Sequence, residues 1–301
     1  AMSYGALSKE LARRFSIRAC GYLPRLPDCA LESRHLGLVT AQEVSDLKEK
    51  MQRLARAAEQ TLDFDALFAI AKSAPPLSFA PPELPKPGVP VRIGVARDKA
   101  FCFFYEDSLA LLRKLGAELV DFSPLEDETL PENLQGLYLP GGYPELYAEA
   151  LSQNKSMRES VRKAVTGGLP CIAECGGFMY LTEAIGDFPM AGALKGGCFD
   201  TGKLTRFGYV TLTAQKDNLL CRAGETIPAH EFHHWDAEHP GEDFRAEKPS
   251  GRSWPCTHAS RTLYAGFPHF HFYANPSFAV RFLDACRKES CHAGTNKAHG
   301  D

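Results

Sequence analysis

Residues 169–186 read LPCIAECGGFMYLTEAIG. An apolar run ends at Cys175, two glycines follow, and a second apolar stretch begins at Phe178. This order reads as strand, sharp turn, helix. Small residues flank the cysteine, with Ala173 two before it and Gly177 two after. A nucleophile on a strained strand-to-helix turn needs such neighbours for the turn to close. The helix start would offer a positive dipole end and backbone N–H groups, which favour a thiolate and an oxyanion. A buried cysteine on a tight turn fits the same letters, and both readings stay open here.

Working outward, VRIGVARD (91–98) is an apolar strand, and SLALLRKLGAELVDF (108–122) reads as a helix. GLYLPGG (136–142) is a strand ending in glycines, and NKSMRESVRKAVTGG (154–168) is a helix closed by glycine. Strands alternating with helices predict βαβ units. The fold class expected is α/β, an open and mostly parallel sheet with helices on both faces. Beyond about residue 200, RFGYVTLTA, HEFHHW and LYAGFPHFHF make the chain richer in strands.

The chain divides into four parts. Residues 1–74 hold helices around a short strand; IRACGYLPRLPDCALESRHLGL (17–38) reads as that strand running into a loop. TAQEVSDLKEKMQRLARAAEQ (40–60) is the clearest helix, with capping-box spacing at Thr40 and Glu43 and an apolar stripe of Leu47, Met51, Leu54 and Ala55. Residues 75–90 carry seven prolines and form an extended linker. Residues 91–286 form the main domain, and 287–301 a polar, disordered tail.

With 44% hydrophobic and 24% charged residues the composition is that of a soluble globular chain. A net charge of −3 gives no reason to expect nucleic-acid or membrane-surface partners. The ten cysteines form no CxxC pair, and the natural compartment for them is a reducing cytoplasm. Neither a GxxxxGK[ST] phosphate loop nor a GxGxxG fingerprint is present.

Two further stretches could serve Cys175. LPGGYPE ends a strand in Gly141-Gly142, where backbone N–H groups at the carboxyl edge of the sheet can face a ligand. Gly142 and Gly176 could donate to one oxyanion; a simple turn is the plainer reading. In GFPHFHFYANP, His269 and His271 share one strand face. They suit a base and its orienting partner, or a pair of satisfied histidines.

Taken together, GVARDKAFCFFYED, LPGGYPELYAEAL, NKSM, AECGGFMYL, RFGYVTL, HEFHHW and PHFHFYANP resemble the C-terminal glutamine amidotransferase domain of the cobyrinate (or hydrogenobyrinate) a,c-diamide synthases. The likeness runs over roughly residues 90–285. GYLPRLPDCALESRHLGLV resembles the end of that family's ATP-dependent domain, so the chain looks like a shortened form or one piece of a split enzyme. The resemblance implies a class I amidotransferase, flavodoxin-like in fold. Cys175 would be the nucleophile, His269 the catalytic histidine, and Gly142 and Gly176 the oxyanion-binding amides.

The resemblance further implies glutamine as substrate and a tetrapyrrole acceptor reached through the ATP-dependent domain. ATP and magnesium would belong to that other domain, with no cofactor in this chain; a homodimer is a further expectation. Many class I enzymes carry H-x-E where this chain has H-x-H. His271 then takes the orienting position, and weaker activation of the base is expected. A catalytically silent module of the same fold and a cysteine peptidase on a related fold are the alternatives.

HEFHH (230–234) also matches H-E-x-x-H, the zinc-peptidase pattern. No third ligand follows at a familiar spacing, and the segment reads better as a strand. Glu231 and His233 are candidates to support the site from behind; no metal is expected.

Overall fold

The structure is a computed structural model that describes residues 4–32 and 41–295. It forms two compact units, Ala1–Pro82 and Glu83–Asp301.

The first unit contains helices Tyr4–Arg14, Leu47–Thr61 and Phe64–Lys72. Residues 17–32 form no strand of the kind expected; Gly21 makes a single bridge to Leu62. The middle helix starts at Leu47 rather than at Thr40, which lies outside the described residues. Its expected stripe is only half covered, with Leu47 and Leu54 partly buried but Met51 44% exposed. Among its described residues, Cys29 and Ala66 are the buried apolar ones, too few for a large core.

The second unit is built on a six-stranded sheet. Its strands in chain order are β1 (Val91–Ala96), β2 (Ala117–Phe122), β3 (Gly136–Leu139), β4 (Cys171–Glu174), β5 (His258–Ala259) and β6 (Leu263–Gly266). The spatial order is β5-β6-β4-β3-β1-β2. All neighbours pair in parallel except β5, which runs antiparallel to β6. Helices α1 (Glu106–Lys114), α2 (Ala148–Gln153), α3 (Lys155–Thr166), α4 (Gly176–Leu181) and α5 (Pro276–Thr295) connect and flank it.

Two elements depart from the expectation. The stretch 108–122 is a helix only to Lys114; Gly116 turns the chain at φ +104°, and Ala117–Phe122 becomes β2. A positive φ is open to glycine at little cost and stops the helix. The expected polar tail is helical to Thr295, because α5 buries Phe278, Phe282, Leu283 and Cys286 and continues past them.

Side-chain alternation along the strands divides the core in two. Val91, Ile93, Val95, Tyr138, Ile172 and Tyr264 point to one side, with residues of α1 and α5. Leu137, Leu139, Cys171, Ala173 and Ala265 point to the other, with residues of α3 and α4. The first side is also covered by a second sheet, which the expectation of helices on both faces lacked. It is an antiparallel sheet of strands Ser253–Cys256, Phe244–Glu247, Arg206–Ala214, Thr226–His233 and His269–Phe270. Val210, Leu212, Ile227, Phe244 and Ala246 supply its inward face. A small four-stranded sheet follows α4 in the chain.

Candidate active site

β4 is buried along its whole length between β3 and β6, which accounts for its apolar letters. Glu174, 1% exposed, is its last residue and the one charge in it. Cys175 then takes φ 47° and ψ −101°, a conformation costly to a residue with a Cβ. Surrounding contacts hold it there. The Cys175 N–H donates to Gly266 O at 2.7 Å, and Met179 N–H donates to Cys175 O at 2.9 Å.

Both glycines after the cysteine are required by close approach. A Cβ at Gly177 would lie 2.1 Å from Leu139 O, and one at Gly176 would lie 3.1 Å from Gly142 N. Gly142 itself has φ +155°, and a Cβ there would meet Ala100 O at 2.1 Å. The two candidate oxyanion amides therefore belong to segments in direct contact beside Cys175.

His269 reaches the same place from the other sheet. The strand His269–Phe270 pairs with Ala229–His230 just after β6 ends. His269 Nδ1 lies 3.5 Å from Glu174 Oε2, and the Cys175 thiol is the other group that acts on the ring. Glu174 is held in turn: Tyr138 Oη donates to Oε2 at 3.0 Å, and the Phe270 N–H donates to Oε1 at 3.3 Å. Burial works against a charged imidazole here. The hydrogen bonds and charges of Cys175 and Glu174 overcome it and raise the His269 pKa to about 10. Phe103 stands edge-on to the ring at 4.8 Å, and His230 stacks on it at 5.2 Å. Burial, then the neighbouring His269, lower the pKa of His230.

This arrangement corrects the reading of H-x-H. Side chains two apart on a strand run side by side roughly 7 Å apart, too far for one ring to bond the other. His271 bonds Asp107 instead, at 2.9 and 3.0 Å to the two carboxylate oxygens, and packs against Tyr105. The position expected of it is filled by Glu174. Sequence reasoning passed over that residue, although a lone acid ending a wholly apolar strand was a signal. Phe103 and Tyr138 were likewise missed, and nothing in their spacing marked them; His230 was marked only by the HEFHH pattern, for a metal-binding role.

Glu231 and His233 lie away from His269, on the inward face of their strand, and bind each other at 3.4 Å. Trp254 Nε1 donates to Glu231 at 3.3 Å, and Arg206 stands 3.8 Å from it. His233 stacks flat on Phe267 at 4.0 Å and bonds Trp235 O at 2.6 Å. The pair fastens the second sheet next to β6 rather than touching the thiol-imidazole pair. The first four residues of HEFHH are strand as expected, and His234 is the bend that follows. The stretch is not helical, so His230 and His234 do not share the one helix face that the zinc pattern requires. Among the described residues no group of His, Cys, Asp and Glu has the geometry of a metal site, and none of the cysteines forms a disulfide. No helix among them is long and apolar enough to cross a membrane.

Residues 92–276 match the CobB/CobQ-like glutamine amidotransferase domain. A cobyrinate a,c-diamide synthase of Caldanaerobacter subterraneus is 36% identical over 291 residues, covering 94% of this chain and 64% of that protein. One from Dehalococcoides mccartyi is 38% identical over 301 residues, covering 93% and 64%. The chain thus spans 64% of the length of these relatives. The solved structure of PurLQS from Thermotoga maritima overlays on 68% of this chain and 99% of its own, with a TM-score of 0.48 at 18% identity.

Proposed function

The chain belongs to the CobB/CobQ-like glutamine amidotransferase family, and from that premise we propose that it is the glutamine-hydrolysing part of a cobyrinate a,c-diamide synthase. The observation that carries the reading is the assembly of Cys175, His269 and Glu174 at the carboxyl end of β4, with the cysteine held at a positive φ.

The chemistry follows from where each proton sits. His269, whose pKa is raised to about 10, has the basicity to take the thiol proton and so make sulfur the nucleophile. Cys175 Sγ attacks the side-chain amide carbon of glutamine, and the carbonyl electrons move to oxygen. The amides of Gly142 and Gly176 are the donors for that oxyanion. As the C–N bond breaks, His269 gives its proton to the leaving nitrogen, which departs as ammonia and leaves a thioester. Neutral His269 then takes a proton from water, whose oxygen attacks the thioester carbon, and glutamate is released. Glu174 keeps Nδ1 protonated and the ring aimed at sulfur throughout.

In this reading the ammonia released here amidates acetate side chains of a cobyrinate-type tetrapyrrole, and the name cobyrinate a,c-diamide synthase carried by the relatives supports it. The same reading assigns ATP and Mg²⁺, which activate those side chains, to a separate ATP-dependent domain. A dimeric assembly is part of the same proposal.

Covalent labelling with a diazo-ketone analogue of glutamine, read by peptide mass spectrometry, tests the reading. Modification confined to Cys175 and blocked by excess glutamine is expected. Iodoacetamide modification of Cys175 without any reaction of the glutamine analogue would refute it.

A further inference from the structure

A single carboxylate stands behind the oxyanion glycines. Asp98 follows β1 and is turned inward. Its Oδ1 accepts from the Ala100 and Phe101 N–H groups at 2.8 and 3.0 Å, and its Oδ2 accepts from Ser123 Oγ and the Leu125 N–H at 2.9 and 3.0 Å. The first pair curls the backbone of 98–101 back on itself. The second ties that curl to the end of β2.

The curled segment is the surface against which the oxyanion glycines lie. Ala100 O accepts from the Tyr143 N–H at 2.9 Å, and the Phe103 N–H donates to Gly141 O at 3.0 Å. The same Ala100 O occupies the space of a Cβ at Gly142. Phe101 is fully buried and stands edge-on to Tyr180 of α4 at 5.4 Å. Phe103, two residues on, faces the ring of His269.

We propose that Asp98 is a positioning residue for glutamine hydrolysis, fixing the Gly142 amide through the backbone of residues 98–103. The claim rests on the glutaminase reading. It separates two properties of the site: the thiol's own reactivity, which needs Cys175 and His269, and stabilisation of a tetrahedral oxyanion, which needs Gly142 in place.

The test uses the full chain and two probes of Cys175. An aldehyde analogue of glutamine forms a tetrahedral hemithioacetal and reports the oxyanion site; iodoacetamide alkylates the thiol by displacement and needs no such site. Asp98→Asn is expected to weaken aldehyde binding by about 10- to 100-fold. Its iodoacetamide rate should stay within about twofold of wild type, because displacement at sulfur uses no oxyanion donor. Should Asp98→Asn fail to fold, Ser123→Ala decides: it removes one of the donors and should weaken the aldehyde by about three- to tenfold at a near-normal alkylation rate. Unchanged aldehyde binding in the folded variant, or equal loss of both reactivities, would overturn the positioning role. A wild-type chain that does not bind the aldehyde competitively with glutamine would overturn the glutaminase reading itself, and this role with it.

Discussion

Replacing Glu174 by glutamine removes one charge from the catalytic group at almost constant volume. Glu174 Oε2 and His269 Nδ1 are 3.5 Å apart, and the two residues are 1% and 5% exposed. At an effective dielectric constant of about 20, unit charges at that distance attract by about 5 kcal/mol. That is a ceiling, because the amide retains a dipole. A hydrogen bond to a charged group contributes about 1.5–3 kcal/mol. At about 1.4 kcal/mol per pH unit, the His269 pKa should fall by roughly one to two units from its raised value. Turnover should drop by about 10- to 100-fold as the ring loses its orientation. The assay pairs glutaminase kinetics with the pH dependence of Cys175 alkylation and a nitrogen-15 titration of the imidazole. His271→Ala is the control, since its partner Asp107 is largely exposed, and it should stay within about threefold of wild type. An unmoved His269 titration in Glu174→Gln, or a larger shift in His271→Ala, would refute the assignment of Glu174 as the orienting group.

Three other outcomes are expected. Gly142→Ala, whose methyl would meet Ala100 O at 2.1 Å, should cost at least about 100-fold in glutamine turnover, measured beside thermal unfolding to separate misfolding from loss of the oxyanion donor. The His269 pKa is higher in the fold than its ordinary 6.5, so its proton-linked stability is complete below about 6.5 and is lost as pH rises towards 10. The difference in unfolding free energy between wild type and His269→Gln should therefore shrink across that window, by at most about 5 kcal/mol. Zinc should leave the melting temperature unchanged, because HEFHH is not helical; calorimetry with and without the ion checks this, and a rise of several degrees would contradict it.

The parallel sheet was legible because its strands are buried on both faces and so appear as short unbroken apolar runs. The turn at Cys175 was legible because only small residues can flank it. What escaped the sequence is of another kind. β2 was hidden because its residues continue the apolar rhythm of α1, and only the backbone freedom of Gly116 divides them. Glu174 was hidden because its role depends on a strand from another sheet arriving beside it. His271 misled because alternation assigns a side chain to a face but says nothing about the distance between neighbours on it. Glu231 and His233 were expected to support the site from behind, yet their partners Arg206, Trp254 and Phe267 are remote in sequence and turn the pair to a structural use.

Glu174 and Cys175 are consecutive residues of one chain segment, and this has a consequence for change over time. The separation of acid and nucleophile is set by covalent geometry, so loop insertions elsewhere leave it intact. The histidine is tied to them through the pairing of β6 with β4 and a link of only Phe267 and Pro268. Loops on the far side of the sheet can lengthen or shorten freely, whereas a single residue gained or lost in that link would rotate His269 away from both partners at once.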